Sequence, residues 1–128
     1  MPLVRIALRT GTPPATQRAI ADGVHQALVE TISIPPADRF QLISEYAAEQ
    51  FIYDPSYLNI PRTDQLVILQ ITISTGRSVE QKRMLYRRIT DLLAERAGIR
   101  PEDVLINLIE VAKENWSFGC GIAHYVPE

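Results

Sequence analysis

A small set of residues in this chain has the types and spacing to do chemistry together, and the first of them is Pro2. It follows the initiator Met1. Methionine aminopeptidases trim Met ahead of a small residue, so the sequence predicts a mature chain that begins at Pro2. Its nitrogen is then a free secondary amine and no longer an amide. A chain-terminal amine titrates around pH 8 in a model peptide. Burial lowers that value, because desolvation disfavours the cation. Such a group serves as a general acid or base near neutral pH. Many chains also begin Met-Pro with no chemistry attached, so the other residues must carry the case.

Arg77 lies directly after a strand, in Thr75-Gly76-Arg77-Ser78. The carboxyl ends of parallel strands commonly hold ligands, and a guanidinium there can grip a carboxylate in bidentate fashion. A solvated arginine at a helix start has the same appearance. Asp38 could orient or activate water. It could equally cap a turn, as its counterpart Asp103 would. Trp116, Phe118 and Tyr125 could wall an apolar pocket around the amine, or could simply pack a tail onto the body. His25 sits beside Val24 on a helix and reads better as a structural, hydrogen-bonded histidine than as a catalytic one.

Composition removes several function classes. The 128 residues carry a formal net charge of −2 and no basic block, which argues against nucleic acid. No apolar run approaches the roughly 20 residues needed to span a bilayer. Arg5 and Arg9 interrupt the first residues, so no signal peptide is expected. Cys120 is the one cysteine and there are two histidines, which leaves no set for a metal site or an internal disulfide. No cofactor is expected, and the default setting is cytoplasmic.

The elements that must position these residues are written twice. A shift of 65 residues brings eleven identities into register between 2–47 and 67–112, against about three expected from ordinary usage. Among them are Thr10/Thr75, Gly11/Gly76, Leu28/Leu93, Pro36/Pro101, Asp38/Asp103 and Glu45/Glu110. Each copy opens with an apolar strand (3–9, 66–73) and a glycine turn. A helix follows. The first is capped by Thr12 ahead of Pro13 and runs to Ile32. The second opens on a capping box, Ser78-Val79-Glu80-Gln81, and stops at Gly98. The Pro-x-Asp turn then leads into a second strand (39–46, 104–111).

This predicts an α/β (α+β) protein with a tandem β-α-β repeat. Parallel strands within each copy have a right-handed crossover, and a four-stranded mixed sheet carries both helices on one face. One domain is expected to span 1–128. It comprises the pseudo-repeats, a linker over 48–66 with a short strand near 51–53, and a C-terminal hairpin tail over 113–128. The sheet face bearing Leu3, Arg5, Ala7, Ile68, Gln70 and Thr72 has no helix to cover it. A semi-apolar face of that kind is expected to be covered by another subunit.

Pro2 at a strand start, the tandem unit and the length together resemble the tautomerase superfamily. Met1-Pro2-Leu3, Pro36-Ala37-Asp38-Arg39-Phe40, Gly76-Arg77-Ser78 and Asn115-Trp116-Ser117-Phe118-Gly119 are similar to the malonate semialdehyde decarboxylase branch. The resemblance implies a homotrimer that needs no cofactor. It implies Pro2 as the catalytic amine and Asp38 as the aspartate that helps activate water or promote decarboxylation. It implies Arg77 as a carboxylate-binding arginine, with Trp116, Phe118 and Tyr125 as the apolar wall. It also exposes a departure. The branch has a second arginine just upstream, where this chain reads Ser74-Thr75, so one carboxylate clamp is missing or is supplied from elsewhere, for example by Arg62 or Arg39. The cis-3-chloroacrylic acid dehalogenase branch fits less well. His25 lies near its helical histidine, but Asn107 and Ser117 stand where its tyrosine and glutamate are expected.

The expected activity is proton transfer or decarboxylation on a small keto or aldehyde carboxylic acid. The expected partners are that substrate and further copies of the chain, with neither nucleic acid nor membrane. The competing expectation is a trimeric binding protein of the same fold with weak or no catalysis.

Overall fold

The computed structural model describes residues 1–128. Strand β1 (Leu3–Arg9), helix α1 (Pro14–Ile32) and strand β2 (Phe40–Tyr46) form the first copy. Strand β3 (Val67–Ser74), helix α2 (Val79–Ala97) and strand β4 (Val104–Val111) form the second. The sheet order is β2-β1-β3-β4. Pairing is parallel inside each copy and antiparallel where β1 meets β3. This is the mixed sheet anticipated from the repeat.

Alternation sorts the strands into two faces. Val4, Ile6 and Leu8 of β1, with Val67, Leu69, Ile71 and Ile73 of β3, point into a core closed by both helices. Ile20, Val24, Ala27 and Leu28 meet them from α1, and Leu85, Ile89, Leu92 and Leu93 from α2. The helices approach closely at Gly23, where a Cβ would sit 3.1 Å from the Leu93 side chain. On the other face Leu3, Arg5 and Ala7 stand opposite Thr72, Gln70 and Ile68. Phe40, Leu42, Leu105 and Ile109 extend this face outward and are 40–50% exposed. No helix is long and apolar enough to cross a membrane.

The 65-residue offset holds in three dimensions: adding 65 to the bounds of α1 gives those of α2. Both helices end on a left-handed residue, Ser33 and Gly98, whose following amides bond to Leu28 and Leu93. The Thr10 amide donates to the Tyr46 carbonyl, and the Thr75 amide to that of Val111. Gln17 donates to Glu45 at 2.8 Å, and Lys82 to Glu110 at 2.6 Å.

Three local expectations are corrected. The helix α1 is not capped by Thr12: Pro13 occupies the cap position and no side chain caps the helix. Pro13 and Pro14 bring no N–H to satisfy, and the Thr12 hydroxyl instead donates to the Arg9 carbonyl at 3.0 Å. No strand forms near 51–53. Single 3₁₀ turns occupy Ala48–Gln50 and Tyr57–Asn59, Phe51 is buried, and Leu58 and Asn59 turn the chain left-handed. The tail is not a hairpin either. After a 3₁₀ turn at Lys113–Asn115, Gly119, Cys120 and Gly121 all have positive φ. Three such residues in a row cannot lie in extended backbone. The Phe118 amide donates instead to His124 Nδ1 at 3.1 Å, closing a loop.

Candidate active site

The antiparallel meeting of β1 and β3 decides what gathers where. It places the amino ends of β1 and β2 at the same end of the sheet as the carboxyl ends of β3 and β4. Leu3 pairs with both Phe40 and Thr72, and Ser74 pairs with Val111. Pro2, the 35–38 turn, Arg77 and the tail after Val111 therefore share one end, although they come from four parts of the sequence.

At this end Pro2 is buried. With Met1 attached its nitrogen is an amide, and the chain-terminal ammonium belongs to Met1. That ammonium lies 2.5 Å from Asp38 Oδ2, with both side chains about four-fifths buried, at 21% and 16% exposed. Asp38 is held by its turn: its amide donates to the Pro35 carbonyl at 2.9 Å, and His25 Nε2 bonds the Pro36 carbonyl at 2.8 Å. His25 thus fixes the turn that carries Asp38.

The aromatic residues of the tail close over this end. Trp116 and Phe118 stack at 5.4 Å with 7° between planes. Tyr125 meets Phe118 edge-on at 5.3 Å, and Phe40 lies 6.1 Å from Phe118. Burial, and then the Asp38 charge, push the Tyr125 phenol above its usual range.

Arg77 is half-buried and has no carboxylate within ion-pair distance. Its two terminal nitrogens make long bonds to backbone carbonyls, to Ser74 at 3.4 Å and to Ile32 at 3.3 Å. A guanidinium has five donors, so this one keeps capacity for an anion. Thr75 lies exposed beside it, its amide on the Val111 carbonyl.

Neither arginine suggested as a replacement is free at this end: the Arg39 side chain is already engaged, and Arg62 lies at the other end of the sheet. Arg39 donates to Asp22 at 2.6 Å and to Gln41 at 2.8 Å. The bond from Arg39 outweighs burial and holds the Asp22 carboxyl below its usual range. Arg62 binds the carbonyls of Tyr57 and Ile60. It adjoins Thr63, which is tied to Asp103, at the opposite end of the sheet. Asn107 pairs with Gln70 in the middle of β4, on the open face and away from Pro2.

Three contributors at this end are absent from the sequence reading of the site. Phe40 and His124 join the aromatic cluster, and Ser74 lies beneath it. Ser74 is 1% exposed, and its Oγ accepts the Trp116 indole N–H at 3.0 Å. Forty-two positions separate the pair, so no local spacing links them.

A cavity of about 490 Å³ lies at the other end, lined by Arg9, Thr12, Asp64, Val67 and Ile99 among others. It is the repeat's counterpart of the proline end, but Val67 stands there in place of Pro2. Arg9 is neutralised by Asp64 at 2.6 Å.

Two family models, each described as a tautomerase enzyme, match residues 38–119 and residues 2–60. A probable tautomerase of Bacillus subtilis, YusQ, is 40% identical over 126 residues, covering 98% of this chain and 99% of the relative. The crystal structure of FG41 malonate semialdehyde decarboxylase inhibited by 3-bromopropiolate superposes with a TM-score of 0.90 at 38% identity, covering 96% and 93% of the two chains. A fused 4-OT solved as a symmetric trimer shares the fold at a TM-score of 0.78 and 22% identity, covering 94% of each chain. With the duplicated β-α-β sheet already traced, these matches establish that the chain belongs to the tautomerase superfamily and resembles its malonate semialdehyde decarboxylase branch.

Proposed function

We propose that this chain is a cofactor-independent enzyme that acts on a small keto or aldehyde carboxylic acid through the amine of Pro2, exposed once Met1 is removed. The observation that carries this reading is the position of buried Pro2 at the end of the sheet that also holds Asp38, the aromatic wall and Arg77, which has no carboxylate partner; the Met1 ammonium, one residue ahead of Pro2, already reaches Asp38. Arg77 anchors the substrate carboxylate. Trp116, Phe118 and Tyr125 exclude water, which strengthens the electrostatic interactions within. Asp38, on the turn at the same end, orients a water or promotes loss of the carboxylate.

Two reactions use this set, and they differ in the protonation state of Pro2. In decarboxylation the cationic amine donates to the carbonyl oxygen of a β-oxo acid. The carbon–carbon bond breaks, CO₂ leaves, the electron pair of that bond forms the enolate hydrogen-bonded to the ammonium, and the ammonium passes its proton to the carbon and is reprotonated from water. In tautomerisation the neutral amine takes the α-proton while the enolate oxygen gains one. The first rate falls as pH rises through the Pro2 titration and the second rises.

The open sheet face, with Leu42, Leu105 and Ile109 exposed, supports assembly as a homotrimer. Light scattering should then give a mass three times the 14.4 kDa chain.

The deciding experiment has two parts. Intact mass of the natively expressed protein should show loss of Met1. Ultraviolet assays with malonate semialdehyde and phenylpyruvate across pH should then give turnover that 3-bromopropiolate abolishes. Retained Met1 in an active protein would overturn the proline mechanism. A trimeric binding protein is the second reading, favoured by the commitment of Arg39 to Asp22, which leaves a single guanidinium at this end. It would show no turnover, and Pro2→Ala would leave its ligand affinity unchanged.

A further inference from the structure

The indole of Trp116 must be held in one plane for its stack on Phe118 to form a wall. The group that holds it is Ser74. This residue ends β3 on the open-face side of the alternation, where its neighbours Gln70 and Thr72 are exposed or half-buried, yet it is 1% exposed. The Trp116 indole N–H donates to Ser74 Oγ at 3.0 Å. The Ser74 carbonyl accepts from Arg77 at 3.4 Å. One residue thus touches both the aromatic wall and the arginine. The copy-one position related to Ser74 is Arg9, which pairs with Asp64. The arrangement therefore belongs to the proline end and not to the shared scaffold.

We infer that Ser74 is a positioning residue for the site proposed above: it locks the Trp116 indole and, through the stack, sets which substrate arm the pocket admits. The inference rests on that functional reading for its kinetic part only. The indole N–H is half-buried, and losing its acceptor costs free energy, so loss of the Ser74 hydroxyl releases the ring from this plane. The wall then loosens while Arg77, held through backbone carbonyls, keeps its place. Discrimination between a keto acid with a flat aryl arm and one with a short aliphatic arm should suffer more than the rate of the chemical step.

Trp116 is the sole tryptophan of the chain, so its fluorescence reads the contact directly. Ser74→Ala should shift the emission maximum and raise acrylamide quenching, while Ser74→Thr, which keeps a hydroxyl, should stay close to wild type. The aryl-over-aliphatic ratio of kcat/KM should fall about tenfold in Ser74→Ala, mostly through KM, in line with one lost hydrogen bond. In a Trp116→Phe background, Ser74→Ala should add no further loss. Unchanged emission and quenching in a folded Ser74→Ala protein would overturn the inference. So would an equal loss of discrimination when Trp116 is already Phe. If the wild-type protein turned over no keto acid, the functional reading would fail, and the fluorescence comparison would still decide whether Ser74 holds Trp116.

Discussion

The two ends of the sheet are built from the same unit but hold their matched residues in different bonds. At one end Asp38 faces the chain-terminal amine; at the other its counterpart Asp103 is 1% exposed and accepts from the Thr63 amide, the Thr63 hydroxyl and Arg100. At one end Arg77 lacks a carboxylate partner; at the other the matching residue is Thr12, bonded to a backbone carbonyl. Trp116 and Phe118 open the tail at the proline end, while their counterparts Phe51 and Tyr53 pack beside Tyr46 and bond Asp64. Duplication supplied two equivalent scaffolds. In one copy the aspartate is tied to its neighbouring loop, and in the other it faces the Met1 ammonium while Arg77 has no carboxylate partner. Paired substitutions at matched positions can therefore separate chemistry from stability.

The largest contrast should come from Pro2 and Val67. Pro2→Ala should lower kcat by a hundredfold or more, on the order expected for a lost general acid or base, with little change in thermal melting. Val67→Ala should leave kcat near wild type and cost about 2 kcal/mol by chemical denaturation, through a lost buried side chain. Equal kinetic losses in the two would break the comparison.

Arg77→Gln follows, with an expected rise in KM of about tenfold or more for loss of a charge-assisted grip. Thr12→Ala should not move KM. A substrate titration on both variants checks this pair.

The aspartates should divide in the same sense. Asp38→Asn should lower kcat about tenfold and alter the pH–rate profile. Asp103→Asn should spare activity and cost about 1–3 kcal/mol. Burial alone would raise the Asp103 carboxyl, but the bonds from Thr63 and Arg100 outweigh it and its pKa is lowered. A lowered folded value means the stabilisation is complete above the unfolded value near 4 and is lost as pH falls below it. Denaturation midpoints measured from pH 6 to pH 3 should thus fall more steeply for wild type than for Asp103→Asn.

The smallest contrast lies at the helix starts. Ser78 makes a full capping box with Gln81, whereas α1 has no side-chain cap. Ser78→Ala should cost about 1 kcal/mol, seen as a melting temperature lower by a few degrees. Thr12→Ala should change it by less.

Much of this was legible before any coordinates. Ser78-Val79-Glu80-Gln81 and Gly98 mark α2 because capping depends on residues within one turn of each other. Ile20, Val24 and Leu28 mark the buried face of α1 for the same local reason. The open face formed by Leu3, Arg5 and Ala7 follows from strand alternation. The strand expected near 51–53 and the hairpin tail failed because short apolar or aromatic runs look alike whether they pair or coil. Phe51 is buried without a strand partner, and Gly119, Cys120 and Gly121 adopt backbone angles that residue type alone does not dictate.

By itself the sequence determined the duplicated unit, its six main elements, the faces of its sheet and the candidacy of Pro2, Asp38, Arg77 and the tail aromatics. All of these rest on spacing along the chain. Only the tertiary structure decided that β1 and β3 meet antiparallel, which brings the first strand of one copy to the last turn of the other's. It alone also decided that Asp103 and Arg39 are already engaged, that Asp38 faces the terminal amine, and that Ser74 lies under Trp116. Each of these depends on which distant groups compete for the same charge or hydrogen bond. That competition is settled by packing and has no signature in local order.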